Sequence, residues 1–408
     1  MRERVTILFA HFGLDRIVGS ERCLLDLMAH LDGDVYRPVL VCNTTTIAKA
    51  ARDIGVTVHA GPQFTPPDQL MPARKLVSLG RAIIAREQVR LVHVNAFEHV
   101  KWLLPCTRQA RIPLVLHVHL PSTAVERCYS LAHQVSCVVG SSRSAISGFV
   151  QDGLSPERLS VIYNAVDPDR MAMGNATNLR AELGLGPDAV VLGVVGSLIE
   201  RKNQETVLES FALLRRAGHA NLHLLLIGDG PDEQYLQSKA AALDVSHNTT
   251  FLGHRADAVA VLRDAVDIAV TGAREEVFPL NVLEAGYLGL PIVASDIPPH
   301  KEGIEHERTG LVVPTFEAPA YADALERLVT NRALRASMGE AARKRIEARF
   351  LLQRYVTEFS TLYDRLMAQP SFRHSWLGGS CWPRVYTDWL SRSVGLGEAA
   401  RSTMPSRP

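Results

Sequence analysis

The sequence predicts an α/β protein made of two doubly wound, Rossmann-like halves. Short runs of β-branched and aliphatic residues alternate with segments of helical period along the chain, the pattern of parallel sheets wound with helices. The 408 residues suit two or three domains at about 100–200 residues each. Between the halves, Pro168–Pro187 contains a short amphipathic stretch but no strand-like run, and it reads as a hinge.

In the first half the strand-like runs are Val5–Ala10, Val39–Cys42, Leu91–Asn95, Leu114–Val118, Cys137–Gly140 and Leu159–Tyr163. Between them, Glu21–Leu31 sets Leu24, Leu25, Leu27, Met28 and Leu31 at helical spacing. In the second half, strands are expected at Val190–Val195, His223–Ile227, Thr250–Leu252, Ile268–Thr271, Ile292–Ser295 and Gly310–Val313. Asn203–Ala217 reads as a helix: Asn203 caps it, Glu205 sits in its first turn, Val207, Leu208, Phe211 and Leu214 form its stripe, and Gly218 stops it. Ala341–Met367 reads as one long closing helix. Two such halves facing each other place a ligand between their strand C-terminal ends.

Composition excludes several classes. With 47% apolar and 21% charged residues, the chain is neither disordered nor fibrous. No apolar run approaches the ~18–20 residues of a membrane span. Met1-Arg2-Glu3-Arg4 resembles the start of a signal peptide, but Val5–Ala10 is too short for its apolar core and reads as a strand. The six cysteines are scattered without C-x-x-C spacing, as expected of reduced, mostly buried thiols in a cytoplasmic protein. Charge is uneven: residues 1–167 carry +4, 168–369 carry −6 and 370–408 carry +3. A nucleic-acid binder would show a stronger, clustered basic excess; this asymmetry suits two lobes with different partners.

Two stretches carry the chemistry. Glu276-Val-Phe-Pro-Leu-Asn-Val-Leu-Glu284 runs from a loop into a short helix ended by Gly289-Leu-Pro291. One carboxylate can accept from both hydroxyls of a vicinal diol such as ribose, and a helix N-terminus between the two acids favours an anion. Pro279 suits the first helical position, yet it has no N–H to offer a phosphate or sugar oxygen. Gly196-Ser-Leu-Ile-Glu-Arg-Lys202-Asn203 follows a strand and enters a helix. A glycine turn, Arg201, Lys202 and a helix start together make a seat for a pyrophosphate. Gly395-Leu-Gly-Glu-Ala-Ala400 matches a dinucleotide pattern but follows no strand, and it is discounted. His93, His117 and His133 read as strand-end or core histidines rather than metal ligands.

Gly196…Lys202, Ile227-Gly-Asp-Gly-Pro231, Phe251-Leu-Gly253 and Glu276-x7-Glu284, with Ala285 and Gly289-x-Pro291, occur in the order and spacing of the family 4 glycosyltransferases. The chain resembles these retaining, nucleotide-sugar-dependent enzymes of the GT-B fold over about residues 1–367. In the first half, Gly19-Ser-Glu21 resembles the family's glycine loop. Ile112–His119 resembles its strand ending in a histidine, with His119 aligned, and Ile162-Tyr-Asn-Ala-Val-Asp167 is similar to the Asn-Gly-Val-Asp before its hinge. Asp167-Pro-Asp169 lies inside that last motif and reads as a turn, not as the metal-binding D-x-D of the other glycosyltransferase fold.

The resemblance implies an acceptor-side domain over 1–169, a nucleotide-sugar domain over 170–351, and a helix at about 352–369 that packs back on the first. It implies that Glu284 holds the ribose hydroxyls, Glu276 and His119 the sugar, Lys202 the diphosphate, and the backbone at Gly253 the base. Gly19, Gly196, Ser197, Arg201, Phe278 and Leu280 complete the donor site. Ser197 stands where the family commonly has arginine, and Arg201 is the nearest substitute; a serine supplies no guanidinium fork. The implied reaction transfers a hexose from a nucleoside-diphosphate sugar to a saccharide or lipid-linked saccharide, with no metal and no other cofactor. A sugar-nucleotide epimerase and a non-catalytic sugar-binding protein are the alternatives. Beyond the resemblance, Trp376, Trp382 and Trp389 with five arginines in residues 370–408 suit a lipid–water boundary at the inner face of a membrane; the alternatives are that the tryptophans pack back onto the enzyme or that this glycine- and proline-containing tail is irregular.

Overall fold

The computed structural model describes residues 4–61, 73–174 and 177–369. The tail tryptophans, Cys381 and Gly395–Ala400 lie outside these residues. The described residues form two compact units: one built from those up to Ile162 together with 359–369, the other from those within Tyr163–Glu358.

The first unit holds a seven-stranded parallel sheet of β1 (Val5–His11), β2 (Tyr36–Cys42), β3 (Thr57–Ala60), β4 (Val89–Val94), β5 (Leu114–Val118), β6 (Cys137–Gly140) and β7 (Leu159–Val161), in the order β3-β2-β1-β4-β5-β6-β7. The second unit holds a six-stranded sheet of β8 (Val190–Val195), β9 (Leu222–Ile227), β10 (Thr249–Phe251), β11 (Ile268–Thr271), β12 (Ile292–Ser295) and β13 (Gly310–Val313), in the order β10-β9-β8-β11-β12-β13. Every pairing is parallel. The central strands are mostly apolar because helices cover both of their faces; Leu224, Leu225 and Leu226 of β9 are all fully buried. In each sheet the order of strand addition reverses once, between β1 and β4 and between β8 and β11. In doubly wound sheets ligands bind beyond the strand C-termini at that crevice.

Four local expectations are corrected. β3 was absent from the sequence reading; it is a four-residue edge strand with half its residues exposed, so it carries no apolar run. The closing helix is two, Arg332–Arg349 and Leu352–Ala368, broken where Val166 N–H donates to the Phe350 carbonyl at 2.8 Å and Leu352 N–H to the Val166 carbonyl at 2.9 Å. Asn203 precedes helix Gln204–Arg216 but does not cap it. Its backbone is left-handed (φ 50°), and its side chain donates to the Gly272 carbonyl at 3.1 Å. Pro279 is the residue before helix Leu280–Tyr287 rather than its first.

The last helix, Leu352–Ala368, ends within the first unit. There Tyr36 donates its phenol proton to Asp364 at 2.6 Å, and His93 Nδ1 meets the Tyr363 hydroxyl at 2.7 Å. Five cysteines (23, 42, 106, 128 and 137) are buried. Among the described residues, no helix is long and apolar enough to cross a membrane.

Candidate functional site

The carboxyl ends of β8 and β11 flank the crevice of the second sheet, and the two sequence stretches singled out for chemistry follow those strands. Gly196 turns the chain out of β8 at φ 151°, and its N–H donates to the Ile227 carbonyl at 3.0 Å. Gly228 lies so close that a Cβ there would stand 2.0 Å from the Gly196 carbonyl oxygen; only glycine fits. Gly228 N–H donates to the Gly253 carbonyl at 2.9 Å, so the ends of β8, β9 and β10 meet through backbone alone. Ser197 and Leu198 lead to a single turn, Glu200–Lys202, whose two basic side chains reach the loop after β11.

That loop presents Glu276. Lys202 Nζ contacts its Oε1, and Arg201 Nη1 lies 3.4 Å from its Oε2 and donates to the Glu275 carbonyl at 3.2 Å. The carboxylate is 8% exposed, the lysine 16% and the arginine 37%. Both oxygens of one nearly buried acid are thus met by cations, and an arriving anion competes with Glu276 for them. Arg201 brings a second charge to the place where Ser197 cannot.

Helix Leu280–Tyr287 is tied to the end of β8 by Asn281, whose Nδ2 donates to the Val195 carbonyl at 2.7 Å. Leu280 opens the helix half-buried. One turn on, Glu284 is 9% exposed and accepts from Arg170 Nη1 at 2.9 Å. Sequence reasoning missed Arg170: it lies 114 residues from its partner, in a segment read only as a hinge. Asp167, beside it, accepts from Asp169 N–H at 3.0 Å and caps the helix Pro168–Ala172. The Phe278 ring is buried against Tyr163 and Phe350, with centroids 4.9 and 5.4 Å away, so only its backbone remains to offer a ligand. Even that carbonyl is taken, by Asn164 Nδ2 at 2.7 Å.

In the first unit the ends of β1, β4 and β5 gather polar side chains around His119, which follows β5. Its Nε2 lies 2.8 Å from Asn95 Oδ1 and 3.0 Å from His117 Nδ1. His11, ending β1, places Nε2 2.9 Å from Glu21 Oε1, both side chains over 90% buried. Gly19 opens the helix Gly19–His30 instead of lying in the loop, and Glu21 is the polar centre of that helix start. Its Oε2 accepts from Val18 N–H at 3.2 Å and from the Ser20 hydroxyl at 2.9 Å. Gly13 packs onto the pair: a Cβ there would stand 2.8 Å from His11 Nε2.

Burial alone would raise the Glu21 carboxyl, but the bond and charge of His11 outweigh it and lower it from 4.5 to about 2. A carboxylate lowered on folding adds stability above its unfolded value and loses it as pH falls through the folded one. Glu21→Gln is therefore expected to cost on the order of 3 kcal/mol at neutral pH. The gap to wild type should close between about pH 4.5 and 2. Urea melts across that range check it; a gap independent of pH would contradict the assignment.

Two doubly wound parallel-sheet units, each with polar groups at its crevice and one with paired acids beside a glycine turn and two cations, define a two-domain α/β architecture. The comparisons with known proteins make that particular. The profile described as "Glycosyltransferase Family 4" matches residues 17–170, and that described as "Glycosyl transferases group 1" matches 175–345. N-acetyl-alpha-D-glucosaminyl L-malate synthase of Bacillus anthracis is 25% identical over 320 residues, 76% of this chain and 82% of that protein. D-inositol 3-phosphate glycosyltransferase of Saccharomonospora viridis is 30% identical over 224 residues, about half of each chain (52%). Among solved structures, HepE of Anabaena in complex with UDP and glucose superimposes with a TM-score of 0.76 at 21% identity, covering 89% of this chain and all of that one. The chain belongs to the group 1, family 4 glycosyltransferases of GT-B fold, and it is a sugar-transferring enzyme.

Proposed function

We propose that the protein is a retaining transferase that moves a hexose from a nucleoside diphosphate to a hydroxyl of a saccharide or lipid-linked saccharide. The observation that carries this reading is the Glu276 cluster: one acid and two cations at the crevice of the sheet whose next helix bears Glu284. Lys202 and Arg201 take the diphosphate, Glu284 the ribose, the backbone near Gly253 the base, and Glu276 with His119 the sugar. As the bond from the anomeric carbon to the phosphate oxygen breaks, negative charge grows on the leaving group, where fixed cations act most strongly. The acceptor oxygen bonds to the same face of that carbon and passes its proton to the departing phosphate, so the configuration is retained. Relatives named for transfer to malate and to inositol phosphate, and a structural neighbour holding UDP and glucose, support a nucleotide-sugar donor.

Incubation with UDP-, GDP- and ADP-hexoses and NMR of the product test it: an α-linked product from an α-linked donor is expected. An inverted product, or only an epimerised donor, would sink the reading. A ligand present at 100 times its Kd stabilises by about 2.7 kcal/mol, so a thermal-shift screen ranks the donors first.

Because Lys202 and Arg201 meet the phosphate charge, transfer is expected to survive excess EDTA. Loss restored by Mn²⁺ or Mg²⁺ would assign that charge to a metal instead. The net positive charge of residues 1–167 and the Trp/Arg composition of residues 370–408 support a reading in which the enzyme works at a cytoplasmic membrane face. The full chain should sediment with anionic vesicles at low salt, and a chain stopped at Gln369 should do so less.

A further inference from the structure

Asn95, just past β4, has its amide oriented by one neighbour. Its Nδ2 lies 3.3 Å from the main-chain oxygen of Ser20, an atom that can only accept. The ambiguity between the two ends of an asparagine amide is thereby removed. Its other end, Oδ1, lies 2.8 Å from His119 Nε2. A carbonyl oxygen also only accepts, so His119 carries its proton on Nε2.

The remaining protons follow in one direction. His119 Nε2 is 3.0 Å from His117 Nδ1, which accepts; His117 Nε2 then donates to Ser141 Oγ at 3.3 Å, and Ser141 donates to the Val118 carbonyl at 3.2 Å. On the other side Asn95 Nδ2 stands 3.4 Å from His11 Nδ1, and His11 Nε2 stands 2.9 Å from Glu21 Oε1. The tautomers of His119 and His117 are thus set by one amide, itself held by one backbone carbonyl.

Burial, then the charge of His11, depress His119 to about 3, so its ring is neutral near pH 7. A neutral imidazole protonated on Nε2 keeps a lone pair on Nδ1. Ser141 Oγ is 3.5 Å from that atom, farther than from its Val118 acceptor, and His119 is only half-buried.

We propose that Asn95 is a positioning residue that holds His119 as the Nε2–H tautomer, so that Nδ1 accepts a hydrogen bond from a hydroxyl of the transferred sugar and disfavours a carboxylate there. This rests on the assignment of His119 to the sugar in the proposed reaction. A sugar hydroxyl donates to the lone pair. A uronic-acid carboxylate sets its own lone pairs against it, and a sugar deoxygenated at that carbon leaves it empty. The donor class is therefore a neutral hexose with that hydroxyl free.

Wild type, Asn95→Leu, Asn95→Asp and His119→Ala test the inference, with transfer by wild type measured first. In protein labelled with ¹⁵N-histidine, the His119 ring of wild type should show Nε2 protonated and Nδ1 bare. Asn95→Leu, nearly isosteric but without the amide, should lose that preference. Its kcat and its discrimination between hexose and uronic-acid donors should each fall about tenfold, with nucleotide Kd unchanged. Asn95→Asp keeps an acceptor at the Oδ1 position and should keep the tautomer; it stands in if the leucine variant does not fold. A protonated Nδ1 in wild type overturns the inference, as does an Asn95→Leu enzyme with unchanged tautomer and donor discrimination. His119→Ala at wild-type rate and donor preference overturns it at the sugar contact. Absence of any transfer by wild type overturns the reaction itself, and is seen separately.

Discussion

Lys202→Ala is expected to lower kcat by about 10²–10³-fold, the usual cost of deleting one fixed group that stabilises charge developing in a transition state. The lysine is held against Glu276 and is mostly buried, so no neighbour replaces it from solvent. Arg201, more exposed and 3.4 Å from the same carboxylate, should matter less. Lys202→Arg should restore only part of the rate, because a planar fork does not reproduce a point charge at one oxygen. The same contact gives Glu276→Gln effects of opposite sign. Free of the carboxylate, both cations should bind the nucleotide diphosphate more tightly, while transfer slows because an amide oxygen accepts more weakly from a sugar hydroxyl than a carboxylate does. Steady-state kinetics and calorimetric titration of the nucleoside diphosphate check both variants. A Lys202→Ala enzyme within threefold of wild type would remove the lysine from the chemistry.

Glu284→Ala should weaken nucleotide binding by about 2–4 kcal/mol, roughly 30- to 900-fold, as expected when a charge-assisted contact to a diol is lost. Arg170 complicates the measurement usefully. Its bond occupies Oε1 and steadies the carboxylate, and deleting the acid also strips Arg170 of this partner. Part of the loss is therefore structural, and a double-mutant cycle with Arg170→Met isolates it. The 2′-deoxy nucleotide should bind more weakly than the ribonucleotide to wild type and equally to Glu284→Ala. An equal 2′-deoxy penalty in both proteins would take the ribose away from Glu284.

What the sequence shows and what it conceals divide along physical lines. Strands such as Val190–Val195 and Ile268–Thr271 are legible because burial on both faces demands unbroken apolar runs. The cluster of Gly196, Lys202 and Glu276 is legible because each residue sits a few positions past such a strand, where doubly wound sheets keep their ligands. Thr57–Ala60 is hidden because an edge strand needs no apolar face. The break at Phe350 is hidden because the helical period runs through it, and a bridge to Val166 interrupts the helix. Arg170 and Asn95 are hidden for another reason. Each acts through a residue brought near by the fold, 114 positions away for Glu284 and 24 for His119, and no local spacing encodes that. The motif also puts Phe278 in the donor site, and no local spacing shows that its ring packs against Tyr163 and Phe350.

The return of the last helix to the first unit has a consequence for the order of synthesis. The second unit is one uninterrupted stretch, Tyr163–Glu358, and can close as soon as it leaves the ribosome. The first unit is made earlier but finished later. Phe359, Tyr363 and Asp364, which cover His93, His117 and Tyr36, emerge only after the whole second unit. At about 5–20 residues per second that wait is roughly 10–40 s. During it the first sheet lacks the side chains that cover His93, His117 and Tyr36. A ribosome stalled before Phe359 would hold a complete second unit and an incomplete first one.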